Sequence, residues 1–396
     1  MPEAPTQGRH RLLYIMNIPS PYRWHLFSKL HEVAKTKGID FEVAFLSKQS
    51  RRRKWQLEDF PRSFPYHLSW AINFSRNGEK FLNPAMICRT LLQRWDWIIL
   101  GGYDNPTNAI LAGLPLPRTQ YKLIRNEGNL QAHHRYKSGV IAFLKRFVLK
   151  RCDGYLIPGQ RGIEWLDYWL PERAEEYTHI FPNVIDDKRL LNRVQELRQD
   201  RGSLRSSLNI RPEKRVFFTP ARLHPDKGLL EFLQQLPDDF GRKNVWLIAG
   251  EGPLRSEIKN ESNRKGMADS VRLLGHVSQD RMYELYALAD IFALPSISDP
   301  NPLSSIEAAF AGLPLLISKR LGNYPELMKH GKTGWGFDPT NADEVRTAIE
   351  EASVSGNGRL QTMSQAVSEV AQTKFQSGMV CEQLLDYLLK MQPKSQ

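Results

Sequence analysis

The stretch "DIFALPSISDPNPLSSIEAAFAGLPLLIS" (Asp290–Ser318) holds two short apolar runs separated by a polar, proline-rich turn and an alanine-rich segment. Ile291–Leu294 and Leu315–Ile317 read as strands, and the residues from Leu303 onward read as the helix that joins them. Near-continuous apolar strands linked by helices are the repeating unit of a parallel sheet covered on both faces.

The same alternation extends in both directions. Upstream in this half lie "RVFFTPAR", "VWLIAGEG" and "VRLLGHV", each followed by a turn and a helical pattern. The first half repeats it with "RLLYIMN", "FEVAFLS", "WDWIILGG", "YKLIRNE" and "GYLIPG". The expected fold class is α/β, with two Rossmann-like doubly wound domains. Residues 1–195 are assigned to the first domain, 196–375 to the second and 376–396 to a terminal helix returning to the first. The polar run "PNVIDDKRLLNRVQELRQDRGSLRSSLNIRPEK" is read as the linker.

A chain of 396 residues exceeds the size at which one core keeps growing, in keeping with two domains. No segment has the length of uncharged apolar sequence that a membrane span needs, and the amino terminus lacks the apolar core of a signal peptide. The three cysteines are scattered, against a disulfide framework or zinc cluster, so a reducing cytoplasm is expected. The net charge of +12 is confined to one half: 30 Lys and Arg face 18 Asp and Glu in residues 1–195, and 25 face 25 beyond. Arg51, Arg52, Arg53 and Lys54 form one dense basic run and "FLKRFVLKRCDGYL" another. A solvated basic face is one reading of this charge, and an anionic membrane surface or a phosphate-bearing acceptor as its partner is the other. No nucleic-acid recognition motif accompanies it, so no specific nucleic acid is expected.

Ligands of doubly wound sheets bind beyond the carboxyl ends of strands. In the second half these loops carry Arg222 and Lys227, suited to a diphosphate; Gly250 and Gly252, which allow close backbone approach; His276; and the acids Asp299 and Glu307. The backbone amides of Leu303, Ser304 and Ser305 open a helix, where an anion is favoured.

Taken together, "ARLHPDKG", "LIAGEGPLR", "VRLLGHV", "LYALADIFALPS", "DPNPLSSIEAAFAGLPLLIS" and "GNYPELMKHGKTGWGFDP" resemble, in order and spacing, the carboxy-terminal domain of the retaining glycosyltransferases of family 4. "FPNVID" looks like that family's motif at the domain junction. The resemblance implies a GT-B architecture, two domains facing across a cleft, with a UDP- or GDP-sugar held by the second and a glycan or lipid-linked acceptor by the first. It implies that Glu307 accepts hydrogen bonds from the nucleotide ribose and that Asp299 lies near the donor sugar. Asp299 stands where the family carries Glu, and Pro302 where it commonly carries Gly. The implied reaction transfers a hexose with retention and without metal or other cofactor, as in cell-surface polysaccharide synthesis, and no Asp-x-Asp pair occurs in the chain. Were the two acids a retaining glycosidase pair, their carboxyl groups would lie about 5–5.5 Å apart. Eight residues of helix would separate them by about 12 Å along its axis.

In the first half, Tyr22, Arg23 and Asp104 follow strands and are assigned to acceptor binding with His133 and His134. Glu127, just past a strand, is placed beside the sugar by the resemblance and joins Asp299, Arg222 and Lys227 in the candidate catalytic set. A sugar-nucleotide epimerase of the same architecture is the rival within enzymes, and a basic nucleic-acid-binding protein is the rival class.

Overall fold

The computed structural model describes residues 10–48, 60–74, 80–130, 139–172 and 177–391. The chain separates into two compact units, one of residues up to Val184 together with those from Ser377, the other Ile185–Gln376.

The first unit is built on strands β1 (His10–Met16), β2 (Ile39–Phe45), β3 (Tyr66–Leu68), β6 (Trp95–Leu100), β7 (Thr119–Arg125), β8 (Gly154–Ile157) and β9 (Thr178–Ile180). Between them β4 (Ile72–Asn73) and β5 (Phe81–Leu82) form a small antiparallel ribbon. The seven strands pair in the order β3-β2-β1-β6-β7-β8-β9, all parallel. Alternation along β1 decides the two faces. Leu12 and Tyr14 join a cluster with Trp24, Phe27 and Leu385, whereas Leu13 and Ile15 join one with Ile98, Leu100 and Leu149.

The helix Pro21–Thr36 follows β1, with Pro21 in its first turn and the Ser20 hydroxyl accepting from Arg23 N at 3.4 Å. Its buried residues Trp24, Phe27, Leu30 and Ala34 recur at helical spacing. The terminal helix Ser377–Lys390 packs on it through Val380, Cys381, Leu384, Leu385 and Leu388, and Lys37 pairs with Asp386.

The second unit holds β10 (Arg215–Pro220), β11 (Asn244–Ala249), β12 (Val271–Gly275), β13 (Ile291–Leu294), β14 (Leu315–Ser318) and β15 (Gly334–Phe337). Their order is β12-β11-β10-β13-β14-β15, again all parallel. This is the Rossmann order, and direction reverses between β10 and β13. Thr219 ties the centre together: its hydroxyl donates to Ala293 O at 2.6 Å and accepts from Trp246 Nε1 at 2.8 Å. Asp290 accepts from Val216 N at 2.7 Å and from Arg201 and Arg205 at 2.6 and 2.7 Å, binding a helix to the sheet.

Two expectations need correcting. The units divide at Val184/Ile185, not at residue 195, and the polar run assigned as linker is largely helical, Asp187–Arg198 and Arg201–Ser207. The reason is Leu190 and Val194, one turn apart, which enter the second core among otherwise polar neighbours. The apolar runs named from the sequence all form strands, the edge strand β12 among them. The edge strands β3, β9 and β15 were not named, being three or four residues long and, in β15, half glycine.

His179 in β9 stacks on Tyr387, ring centroids 4.8 Å apart, and burial pushes its pKa down to about 4. The folded chain therefore keeps it neutral where the unfolded chain protonates it. As pH falls from about 6.5 toward 4, this difference removes stability. His179→Gln is expected to lose part of the acid destabilisation, measured by urea titrations at stepped pH.

Candidate active site

Four loops converge around the switch point of the second sheet. The loop after β10 runs through a tight turn, Pro225–Lys227, and Gly228 at φ 62°. A Cβ at Gly228 would lie 2.3 Å from Pro295 O, so only glycine lets the loops after β10 and β13 approach this closely. Asp226 O accepts from Ile297 N and Ser298 N at 2.9 and 3.1 Å. The loop after β14 closes the other side: Gly322 N donates to Asp299 O at 2.9 Å and Asn323 Nδ2 to Pro302 O at 2.9 Å. The loop after β11 backs onto the first through Leu223 N to Glu251 O, 2.9 Å, bringing Gly250 and Gly252 against residues 221–223.

The side chains follow from this frame. Lys227 Nζ donates to Asp299 Oδ2 at 2.6 Å, both side chains largely shielded. Burial raises the Asp299 carboxyl pKa and the Lys227 ammonium opposes the rise. Arg222 is solvent-exposed and reaches Asp226 at 3.6 Å, while His276 lies exposed beyond β12. The helix Leu303–Phe310 begins at Pro302 with no side-chain cap, so no cap side chain competes for the amides of its first turn. Ser305 is buried: its hydroxyl donates to Pro302 O at 2.8 Å and meets the Asn323 amide at 2.9 Å. Glu307, also buried, accepts from the Tyr286 hydroxyl at 2.8 Å. Asp299 and Glu307 thus serve different partners, Lys227 and Tyr286, and form no carboxylate pair.

The first unit has its own charged group at the carboxyl ends of β1 and β7. Arg23, in the first turn of its helix, donates to Glu127 Oε1 at 2.6 Å and to Asn183 Oδ1 at 3.4 Å. Arg125, 3% exposed, donates to Asn183 Oδ1 at 2.5 Å and to the Tyr14 hydroxyl at 3.4 Å, and lies 4.7 Å over the Phe181 ring. Burial alone would raise the Glu127 pKa, but Arg23, Arg125 and Asn183 outweigh it and hold the carboxyl below its usual value. Tyr22 is partly exposed beside Arg23, and Asp104 is exposed past β6, where Asn105 rather than Asp104 caps the next helix. His133, His134 and the run Arg51–Lys54 lie outside the described residues.

The sequence reading missed Tyr286, Asn323, Arg125 and Asn183. Arg125 carried a signal, a cation ending an apolar strand; Asn183 stood in the junction motif without an assigned role. Tyr286 and Asn323 are read only through their contacts.

Residues 200–368 match the family model described as glycosyl transferases group 1. That match falls within the second domain, where the sequence motifs lie. An uncharacterized glycosyltransferase of Methanocaldococcus jannaschii is 25% identical over 310 residues, 73% of each chain. A GDP-mannose-dependent alpha-(1-6)-phosphatidylinositol monomannoside mannosyltransferase of Mycobacterium tuberculosis is 30% identical over 177 residues, 42% of this chain and 46% of that relative. Among solved structures, Anabaena HepE in complex with UDP and glucose superposes with a TM-score of 0.69 at 17% identity, covering 96% of this chain and 100% of that one. The protein is a glycosyltransferase with the two α/β domains of the GT-B class.

Glu127→Gln leaves two shielded guanidinium groups without a compensating charge. Since Glu127 keeps a third of its side chain exposed, the expected loss is about 2 kcal/mol, less than for a sealed pair. Chemical denaturation measures it, and adding Arg23→Met is expected to recover part of the loss.

Proposed function

We propose that this glycosyltransferase moves a hexose from a UDP- or GDP-sugar to a glycan or lipid-linked acceptor, with retention and without a metal. The observation that carries the reading is the Lys227–Asp299 contact beside the uncapped start of the Leu303–Phe310 helix, at the switch point of the Rossmann-ordered sheet. That is where a nucleotide binds such a sheet. The match to the group 1 model supports transfer, the HepE complex supports a nucleotide-sugar donor, and the mannosyltransferase relative supports a lipid-linked acceptor.

In this reading the ribose hydroxyls donate to Glu307, whose carboxylate is oriented by Tyr286. The diphosphate meets the first-turn amides of Leu303, Ser304 and Ser305, Lys227, and the exposed cation of Arg222. Gly250 and Gly252 keep the adjoining loop free of side-chain bulk, and His276 flanks the donor. Charge that develops on the departing nucleoside diphosphate is stabilised by these groups, and its phosphate oxygen takes the acceptor proton on the same face of the sugar. Asp299 sets the position of Lys227 and borders the sugar. In the first domain Glu127 orients Arg23, which with Tyr22 and Asp104 receives the acceptor; His133 and His134 belong to the same proposed set.

Calorimetry with UDP and GDP tests the site. Glu307→Ala is expected to weaken binding by about 2 kcal/mol, the scale of a charged hydrogen bond, and unchanged affinity would remove the ribose role. Activity is expected to survive EDTA, and NMR of the first-formed product is expected to show the anomeric configuration of the donor. Metal dependence or inversion would each reject that part of the mechanism.

A further inference from the structure

The helix Gly139–Lys150 in the first unit carries its apolar stripe on the wrong side for a core. Val140, Phe143, Leu144 and Phe147 follow the i, i+3, i+4, i+7 spacing of a buried face, yet all are exposed, Val140 by 74% and Phe143 by 68%. Only Ala142 and Leu149 of this helix are buried. Its inward side also bears Lys145, whose ammonium lies 4.4 and 3.9 Å over the rings of Trp165 and Trp169. The outward stripe continues onto the preceding helix Pro106–Gly113, whose Ile110 is exposed; a Cβ at its Gly113 would sit 3.6 Å from the Phe147 ring. Scattered exposed apolar residues are ordinary, but a contiguous stripe of aromatic and branched residues marks an interaction surface.

Charge selects the occupant. Arg146, Lys150 and Arg151 border the stripe, Arg151 with its guanidinium 4.4 Å over the Phe147 ring, and no acid occurs from Gly139 to Cys152. A second copy meeting this surface through the same helix would bring like charges together. An anionic bilayer complements both parts, taking the apolar side chains at the acyl boundary and the cations at the headgroups. No helix among the described residues is long and apolar enough to cross a membrane, so attachment at the surface is the geometry this helix allows.

We propose that the helix Gly139–Lys150 docks the protein on anionic lipid, lying in the interface with Val140, Phe143, Leu144 and Phe147 inserted. This goes beyond the transfer reaction and needs no donor or acceptor, so its failure leaves the proposed chemistry untouched.

The test is flotation of the full-length protein with vesicles of phosphatidylcholine alone or with added phosphatidylglycerol, beside hydrogen exchange on the wild type. The protein is expected to float with the anionic vesicles and much less with the neutral ones. Phe143→Ser with Phe147→Ser is expected to lower the partition by roughly tenfold or more, as loss of two inserted rings requires. Arg146→Gln with Lys150→Gln is expected to lower it on anionic vesicles only. Residues 139–150 of the wild type are expected to gain exchange protection when anionic vesicles are added, a readout that needs no variant. Absence of flotation, equal flotation of the Phe143/Phe147 variant, or protection confined to other segments would overturn the proposal. So would a concentration-dependent dimer in sedimentation that the Phe143/Phe147 variant abolishes, since a second copy would then be the occupant.

Discussion

The 2.6 Å contact between Lys227 and Asp299 joins the two loops that leave the second sheet where its strand order reverses. Each partner is placed by backbone rather than by its own flexibility. Gly228 lets the first loop rest on Pro295 O, and Gly322 N holds Asp299 O in the second. A lysine on a free loop loses rotamer freedom when it binds a ligand; one already held by a carboxylate has lost much of it on folding. The site is therefore arranged before any ligand arrives, and its rigidity rests on buried contacts such as Ser305 with Asn323 and Glu307 with Tyr286.

The first unit solves the same topological problem differently. Its sheet reverses between β1 and β6, but the polar and charged side chains gather across β1, β7 and the segment after β9, as Arg23, Arg125, Glu127 and Asn183. Two guanidinium groups share one carboxylate and one amide oxygen, which leaves the cluster cationic. Burial disfavours both cations, lowering the Arg125 pKa, and Glu127 offsets the cost for Arg23. The second unit balances Lys227 and Arg222 with Asp299 and Asp226 at its switch point, whereas the first carries an excess of positive charge.

The central strands were legible because strands covered on both faces are apolar throughout, as in Leu12–Ile15 and Val245–Ile248. The edge strand β12 largely shares that signature, whereas β3 and β9 are only three residues long and β15 is half glycine, so these three escaped notice. The boundary was misplaced for a related reason: Asp187–Arg198 is polar along most of its length, and two buried aliphatic residues are enough to dock it. At the site, Lys227, Asp299, Glu307 and the helix start were legible from loop position and motif order. Their partners were not, because Lys227 meets Asp299 across 72 residues and Glu307 meets Tyr286 across 21. Period without partner also misleads, since Val140, Phe143, Leu144 and Phe147 have core spacing and no core above them.

Asp299 shows what one methylene changes. Its position is where the resembling family carries Glu, and here the shorter carboxylate ends at Lys227, held in place by the backbone bridge between Asp299 and Leu321. A longer side chain anchored at the same Cα would have to fold back to make this contact or would extend past the ammonium. The Asp299 carboxylate is thus committed to a neighbouring cation. Burial, with Asp226 nearby, raises the proton affinity of Asp299, and Lys227 opposes this most, aided by the Asn301 backbone amide. Any anion that draws Lys227 away weakens that hold and pushes Asp299 toward its neutral form, so charge at this switch point is shared among three groups rather than fixed on two.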